Sequence, residues 1–202
     1  MTHFQEDTYQ EDVFRDIDID GGEVRGITFG QCTFEKCSFR EVVFKFCKFK
    51  DCTFVNCDLS LMRVDQSAFA GIHFEDCKLA GVDWTQAAWG NKDALILKKG
   101  MGFTRCVLNY ATFIGLALEK FTLKDCTAQE VDFSEAKLVG ADFRGTDLAK
   151  SQFRHTDLTG ADFRGARNYT IPPDMNTINN SKFSMPEAMS LLYSMDIVID
   201  ES

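Results

Sequence analysis

Eight cysteines are the residues of this chain best suited to chemistry: Cys32, Cys37, Cys47, Cys52, Cys57, Cys77, Cys106 and Cys126. Thiols bind zinc, form disulfides or supply nucleophiles, and each use demands its own spacing. Here the separations are fives or multiples of five within each half of the chain, with no C-x-x-C pair. Zinc sites need closely spaced ligand pairs, so no metal is expected. Cys37, Cys57 and Cys77 come within bridging range if equivalent positions of successive coils stack, but parallel Cβ vectors and a reducing compartment argue against disulfides. The three histidines are His3 at one end and His73 and His155 on outward positions of the pattern described next. No nucleophile–base pairing and no phosphate-cradling glycine loop is visible. The expectation is therefore no catalytic residue, no cofactor and no enzymatic activity.

The elements that position the cysteines repeat with a period of five. Phe14, Ile19, Val24, Phe29, Phe34, Phe39, Phe44, Phe49, Phe54, Leu59, Val64, Phe69, Phe74, Leu79, Trp84 and Trp89 form one series. Phe103, Leu108, Phe113, Leu118, Leu123, Ala128, Phe133, Leu138, Phe143, Leu148, Phe153, Leu158 and Phe163 form a second, one position out of phase. Every cysteine lies two positions before such a centre, a slot otherwise filled by small residues such as Ala136, Ala141, Ala161, Ser67 and Thr146. A period of five matches neither a helix nor a strand. It matches a chain that turns a corner once per unit, and four corners close a coil of about 20 residues. Phe14, Phe34, Phe54 and Phe74 then form one interior column, and Phe113, Phe133 and Phe153 another. No proline interrupts residues 14–169, and glycine recurs at the corner after the centre, as at Gly71, Gly81, Gly140 and Gly160. Carboxylates such as Asp142 and Asp162 belong to the repeat and are read as turn residues.

Lys and Arg number 22 against 31 Asp and Glu, a formal net charge of -9. That balance argues against direct nucleic-acid binding, which needs cations to replace phosphate counterions. The start lacks an apolar targeting stretch, and the longest uncharged apolar run, Cys106 to Leu118, is too short to span a bilayer. A soluble cytoplasmic protein with no membrane partner is expected. The acid sits at the ends: residues 1–20 hold seven acids and one base, and 172–202 hold five acids and one base.

Five segments follow: a cap at 1–13, a first repeat segment at 14–89, a loop at 90–102, a second repeat segment at 103–167 and a terminal element at 168–202. Asn91, Leu95, Ile96, Leu97, Lys98 and Lys99 make the loop a candidate partner-binding site, the alternative being that its apolar run packs back on the repeat. The sequence leaves open which columns of the second half continue those of the first. Ser184-Met185-Pro186-Glu187 has the form of a helix capping box. Met185, Ala188, Leu191, Leu192 and Met195 would form a helix that caps the last coil or pairs with a second copy, and Ile197-Val198-Ile199 reads as a short strand. Phe46 falls on a corner that should face water and is a secondary contact candidate.

Ala141-Asp142-Phe143-Arg144-Gly145, Thr146-Asp147-Leu148 and Ala161-Asp162-Phe163-Arg164-Gly165 resemble the A-[D/N]-[L/F]-x-x signature of pentapeptide repeat proteins. The resemblance implies an all-β, right-handed quadrilateral β-helix with a short C-terminal capping helix. The chain is most similar to the members that confer microcin immunity or albicidin resistance. The likeness lies in a Cys/Phe-rich first half, a single interruption, and an ending with Asn168-Tyr169, Phe183-Ser184, Pro186-Glu187-Ala188, Leu191-Leu192 and Asp196-Ile197. It implies a homodimer formed through the C-terminal helix and an interaction with DNA gyrase or topoisomerase IV, protecting the enzyme from a toxin or antibiotic by DNA mimicry, in which an acidic rod resembling duplex DNA competes for, or remodels, the DNA-binding saddle. A DNA-like charge along the whole rod is not present, because residues 21–171 are nearly neutral. The alternative is a scaffold or effector that binds an unrelated protein.

Overall fold

A computed structural model describes residues 4–89, 100–118, 120–195 and 197. The chain winds as short parallel strands: β1 (Thr8–Gln10), β2 (Val13–Arg15), β3 (Glu23–Arg25), β4 (Thr28–Gly30), β5 (Thr33–Glu35), β6 (Val43–Lys45), β7 (Lys48–Lys50), β8 (Thr53–Val55), β9 (Ala68–Ala70), β10 (Ile72–Glu75), β11 (Met101–Thr104) and β12 (Thr122–Lys124). One short helix, α1 (Met189–Tyr193), lies near the C terminus. The strands form sheets ordered β1-β4-β7-β9, β12-β11-β10-β8-β5-β2 and β3-β6. Single parallel bridges such as Ser38↔Asp58 and Thr127↔Asp147 carry the same stacking where strands are too short to name. The architecture is the all-β parallel solenoid expected from the period of five.

Each coil takes four units, so like residues meet on successive levels. Phe34 pairs with Phe54 in the ladder, and their rings stack with centroids 4.6 Å apart and planes 7° from parallel. Phe14 and Phe34 stack at 5.0 Å, as do Phe54 and Phe74. Between columns, rings meet edge to face, as in Phe34–Phe39 at 5.8 Å and 79°. Offset stacks and edge contacts are the favoured aromatic geometries, so the interior is filled by one chemistry in two orientations. All eight cysteines are buried and free.

The insertion does not shift the ladder. β10 pairs directly with β11, placing Phe74 opposite Phe103, and Lys78 pairs with Val107 and Asp83 with Thr112. The second series therefore continues the columns of the first: Phe103, Phe143 and Phe163 extend the Phe14 column, and Phe113 lies over Trp84 with centroids 6.1 Å apart. The insertion therefore falls between Trp89 and Phe103 without a change of register.

The ladder reaches beyond both expected limits. Tyr9 pairs with Phe29, so the coil begins inside the segment read as a cap, and buried Phe4 covers Tyr9, Phe14 and Phe29. At the other end Asp162 bridges Lys182, and Phe183 stacks on Phe163 at 5.2 Å. The capping box is not used as one. The hydroxyl of Ser184 accepts the N–H of Gly165 at 2.9 Å, and α1 starts after Ala188 without a side-chain cap. Ile197 is not in a strand, and residues 198 and 199 lie outside the described residues.

Two details explain how the corners close. The residue two after most centres takes positive φ, near +55 to +65°, whether it is Asp16, Lys36, Phe46, Leu61, Tyr110 or Glu135; Gln86, two after Trp84, departs from this because Trp84–Gln86 forms a 3-10 turn. This left-handed region costs an L-residue roughly 1–2 kcal/mol, which is why glycine recurs there. Second, the slot N–H has two fates. Where the slot holds alanine it donates back across the turn, as Ala136 to the Phe133 carbonyl at 3.2 Å and Ala161 to Leu158 at 2.9 Å. At Cys37, Cys47, Cys57, Cys77, Cys106 and Cys126 it donates one coil up, to the slot side chain there. Cys37 donates to the sulfur of Cys57 at 3.4 Å, Cys57 to Cys77 at 3.3 Å, Cys77 to Cys106 at 3.4 Å and Cys106 to Cys126 at 3.3 Å. Cys126 donates to the Thr146 hydroxyl at 3.2 Å, which ends the chain of thiols. The sulfurs in turn donate to carbonyls, as Cys57 does to Phe34 at 3.4 Å. Burial pushes the Cys52 thiol up to about 12 and raises Cys47.

Candidate partner-binding surfaces

The loop residues Asn91, Leu95, Ile96, Leu97, Lys98 and Lys99 lie outside the described residues. Its two anchors are described. On the entry side the Trp89 indole N–H donates to the Trp84 carbonyl at 2.5 Å. On the return side Gly100 takes positive φ, and Gly102 sits so close to His73 that a Cβ there would stand 2.9 Å from Nδ1. The ladder on both sides of the insertion fixes its place: between the Phe69 column and the Phe74 column.

At the C terminus the five residues expected to cap or dimerise separate. Leu191 packs against the end of the core. Ala188 is half-buried, whereas Met185, Leu192 and Met195 are exposed, together with Tyr193 and Ile197. Only one of the five helps close the coil, and an apolar surface faces outward.

Phe46 is on a left-handed corner and exposed, as its position in the unit requires. Its ring is not bare: the Arg25 guanidinium lies 5.0 Å from the centroid and the Lys45 ammonium 5.9 Å. A second apolar row escaped the sequence reading. Leu61 and Tyr110 are 52 % and 62 % exposed and occupy the same corner on either side of Gly81. The Leu61 side chain lies over Gly81, where a Cβ would meet it at 2.6 Å. The signal was available, because both stand two positions after a centre.

Carboxylates of the rod are largely engaged. Asp142 accepts from the Arg144 N–H at 3.1 Å and Asp162 from that of Arg164 at 3.1 Å, the turn role expected of them. The same guanidiniums pair with these carboxylates, Arg144 with Asp142 at 2.5 Å and Arg164 with Asp162 at 2.6 Å. The hydrogen bonds from Arg144 and Arg164 hold both carboxyls below the ordinary range. Arg105 does the same for Asp76, at 2.8 Å, and also reaches Glu75. Acid along this face is thus neutralised in place. Among the described residues no three His, Cys, Asp or Glu side chains group as metal ligands, and no helix is long and apolar enough to cross a membrane.

Two family models match the sequence, the "pentapeptide repeat region" over residues 27–113 and "pentapeptide repeats (8 copies)" over residues 129–165. The chain belongs to the pentapeptide repeat family. The first match runs through the insertion, and the second lies wholly beyond it. Among solved pentapeptide repeat structures, a trypsin-treated form of QnrB1, a plasmid-mediated fluoroquinolone resistance protein, is 19% identical with a TM-score of 0.66, covering 93% of this chain and 100% of that one. HetL, involved in heterocyst differentiation regulation in the cyanobacterium Nostoc sp. strain PCC 7120, is 15% identical with a TM-score of 0.66, covering 89% and 86%. Another trypsin-treated form of QnrB1 is 21% identical with a TM-score of 0.54, covering 94% and 99%. At these identities the likeness is one of pentapeptide repeat fold. No curated protein matches at a significant level.

Proposed function

We propose that this pentapeptide repeat protein is a non-enzymatic interaction protein that binds a bacterial type II topoisomerase, DNA gyrase or topoisomerase IV, and protects it from a toxin or antibiotic. The observation that carries this reading is the unbroken ladder from Phe74 to Phe103. A rigid rod that admits an insertion at one corner without losing register is built to present that insertion to a partner. The likeness to QnrB1, a fluoroquinolone resistance protein, supports the reading at the level of fold. Free thiols fit the reducing cytoplasm in which a topoisomerase works.

In this reading the 90–99 insertion makes the contact, Phe46 adds a second, and the exposed Met185, Leu192 and Met195 pair two copies end to end. Charge mimicry of DNA is confined to the acidic ends, since the rod's carboxylates at Asp76, Asp142 and Asp162 are held by arginines. Competition for the DNA saddle then rests on shape and on the dimer centre.

The equal TM-score to HetL supports a second reading, a scaffold for another protein partner, because one fold serves unrelated tasks. Immobilised protein challenged with purified gyrase and topoisomerase IV separates the two. Saturable retention of either enzyme supports the first reading, and retention of neither leaves the second.

A further inference from the structure

We propose that the cavity at the N-terminal end of the rod binds a short, extended, cation-rich segment of a partner protein, which adds a strand to β3. The proposal concerns a different surface from the insertion and does not depend on the topoisomerase reading.

Three observations converge there. A cavity of about 620 Å³ opens at this end, between residues 4–7 on one side and 18–27 on the other. That volume lies within the roughly 300–1,000 Å³ typical of ligand sites. The cavity runs along β3, which pairs with β6 alone, so among the described residues its other edge carries no strand. An unpaired edge is a template for main-chain pairing, with side-chain pockets supplying specificity.

The lining selects the occupant. Half-buried Ile19 contributes apolar surface, with the buried Val24 and Ile27 behind it, and Glu6, Asp7, Asp18, Asp20 and Glu23 contribute five carboxylates. Among the described residues only Arg25 pairs with any of the five, at 3.3 Å from Glu23. An extended segment places alternate side chains on opposite sides. One set would pack on Ile19 and the floor that Val24 and Ile27 form, while lysines or arginines of the other meet the acids.

Charge also excludes the simplest alternative. The C-terminal stretch 172–202 holds five acids and one base, so head-to-tail stacking of two copies would bring acid to acid. A single metal ion lacks a ligand set, since no three suitable side chains group among the described residues.

The test uses the full chain and a fluorescent peptide, Lys-Val-Lys-Val-Lys, followed by anisotropy. The peptide should bind and a Glu-for-Lys version should not. A protein carrying Asp18→Asn, Asp20→Asn and Glu23→Gln, verified as folded by circular dichroism, should bind at least about ten-fold more weakly. Methylating the peptide's amides at every second position should abolish binding in one of the two registers, and amides of Glu23–Arg25 should gain protection from hydrogen exchange when peptide is present. Unchanged binding by the triple variant would overturn the proposal. So would tolerance of methylation in both registers. Peptide binding only after removal of residues 1–3 would assign the edge to the chain's own N terminus and would equally overturn it.

Discussion

Phe74 and Phe103 stand on opposite sides of the insertion, yet their rings stack with centroids 5.0 Å apart and planes 8° from parallel. That is also the spacing of Phe54 on Phe74, which are separated by one ordinary coil. The coils on either side of the insertion therefore stay in register.

Removing residues 91–99 joins Gly90 to Gly100 and restores a single repeat unit from Trp89 to Phe103. The shortened chain should fold with an unchanged or raised melting temperature, because loop closure costs less for a shorter loop. Thermal unfolding followed by circular dichroism checks this. A fall of more than a few degrees would mean that the insertion packs on the rod and helps to hold it.

The thiol column predicts a difference between two small substitutions. Cys57→Ala removes the acceptor of the Cys37 N–H and should cost about 1–3 kcal/mol in urea unfolding, the penalty for an orphaned buried donor. Cys57→Ser keeps an acceptor, as Ser67 already does for the N–H of Cys47 at 2.9 Å, and should cost less. Equal losses would show that packing, not the hydrogen bond, sets the preference.

Corner geometry predicts that Gly145→Ala is costly. Gly145 has φ +71°, and an added Cβ would run into the Asp125 carboxylate. The expected loss is about 1–3 kcal/mol, from left-handed strain plus displacement of that side chain. Gly140→Ala meets nothing within 4 Å and should lose only the strain component. Chemical denaturation of the two variants side by side measures the difference.

Acid should weaken the fold through the arginine-held carboxyls. Asp142 and Asp162 have folded pKa values below the ordinary carboxylate range because Arg144 and Arg164 hydrogen-bond them. The unfolded chain therefore takes up these protons first, near pH 4. The stabilisation is complete above that pH and disappears as pH falls through the folded values. Asp142→Asn with Asp162→Asn keeps the turn acceptors and loses the charge, so the melting temperature of the double variant should fall less steeply below about pH 4. At neutral pH the change should be small, since exposed ion pairs contribute no more than about 1 kcal/mol each.

The interior was legible because its signal is redundant: each of Phe14, Phe34, Phe54 and Phe74 identifies the same column. The register across the insertion was not, since the step from Trp89 to Phe103 is not a whole number of units and the apolar run Leu95–Leu97 does not follow the period. Tyr9 was missed because its slot holds Asp7 where the pattern wants a small apolar residue, and Phe183 because Tyr169 is one position out of phase. Composition misleads at the corners. Glycine announces a left-handed residue, but Phe46, Leu61 and Tyr110 occupy the same conformation and are betrayed only by position. Ser184 looked like a helix cap because the sequence does not show that Gly165, on the previous coil, donates to it.

The most direct test of the account is gyrase supercoiling in the presence of a poison, with purified full chain and the folded 91–99 deletion compared at equal concentration. The account predicts that the full chain restores supercoiling and the deletion does not. Failure of the full chain to protect against any of several poisons, or full protection by the deletion, would contradict it.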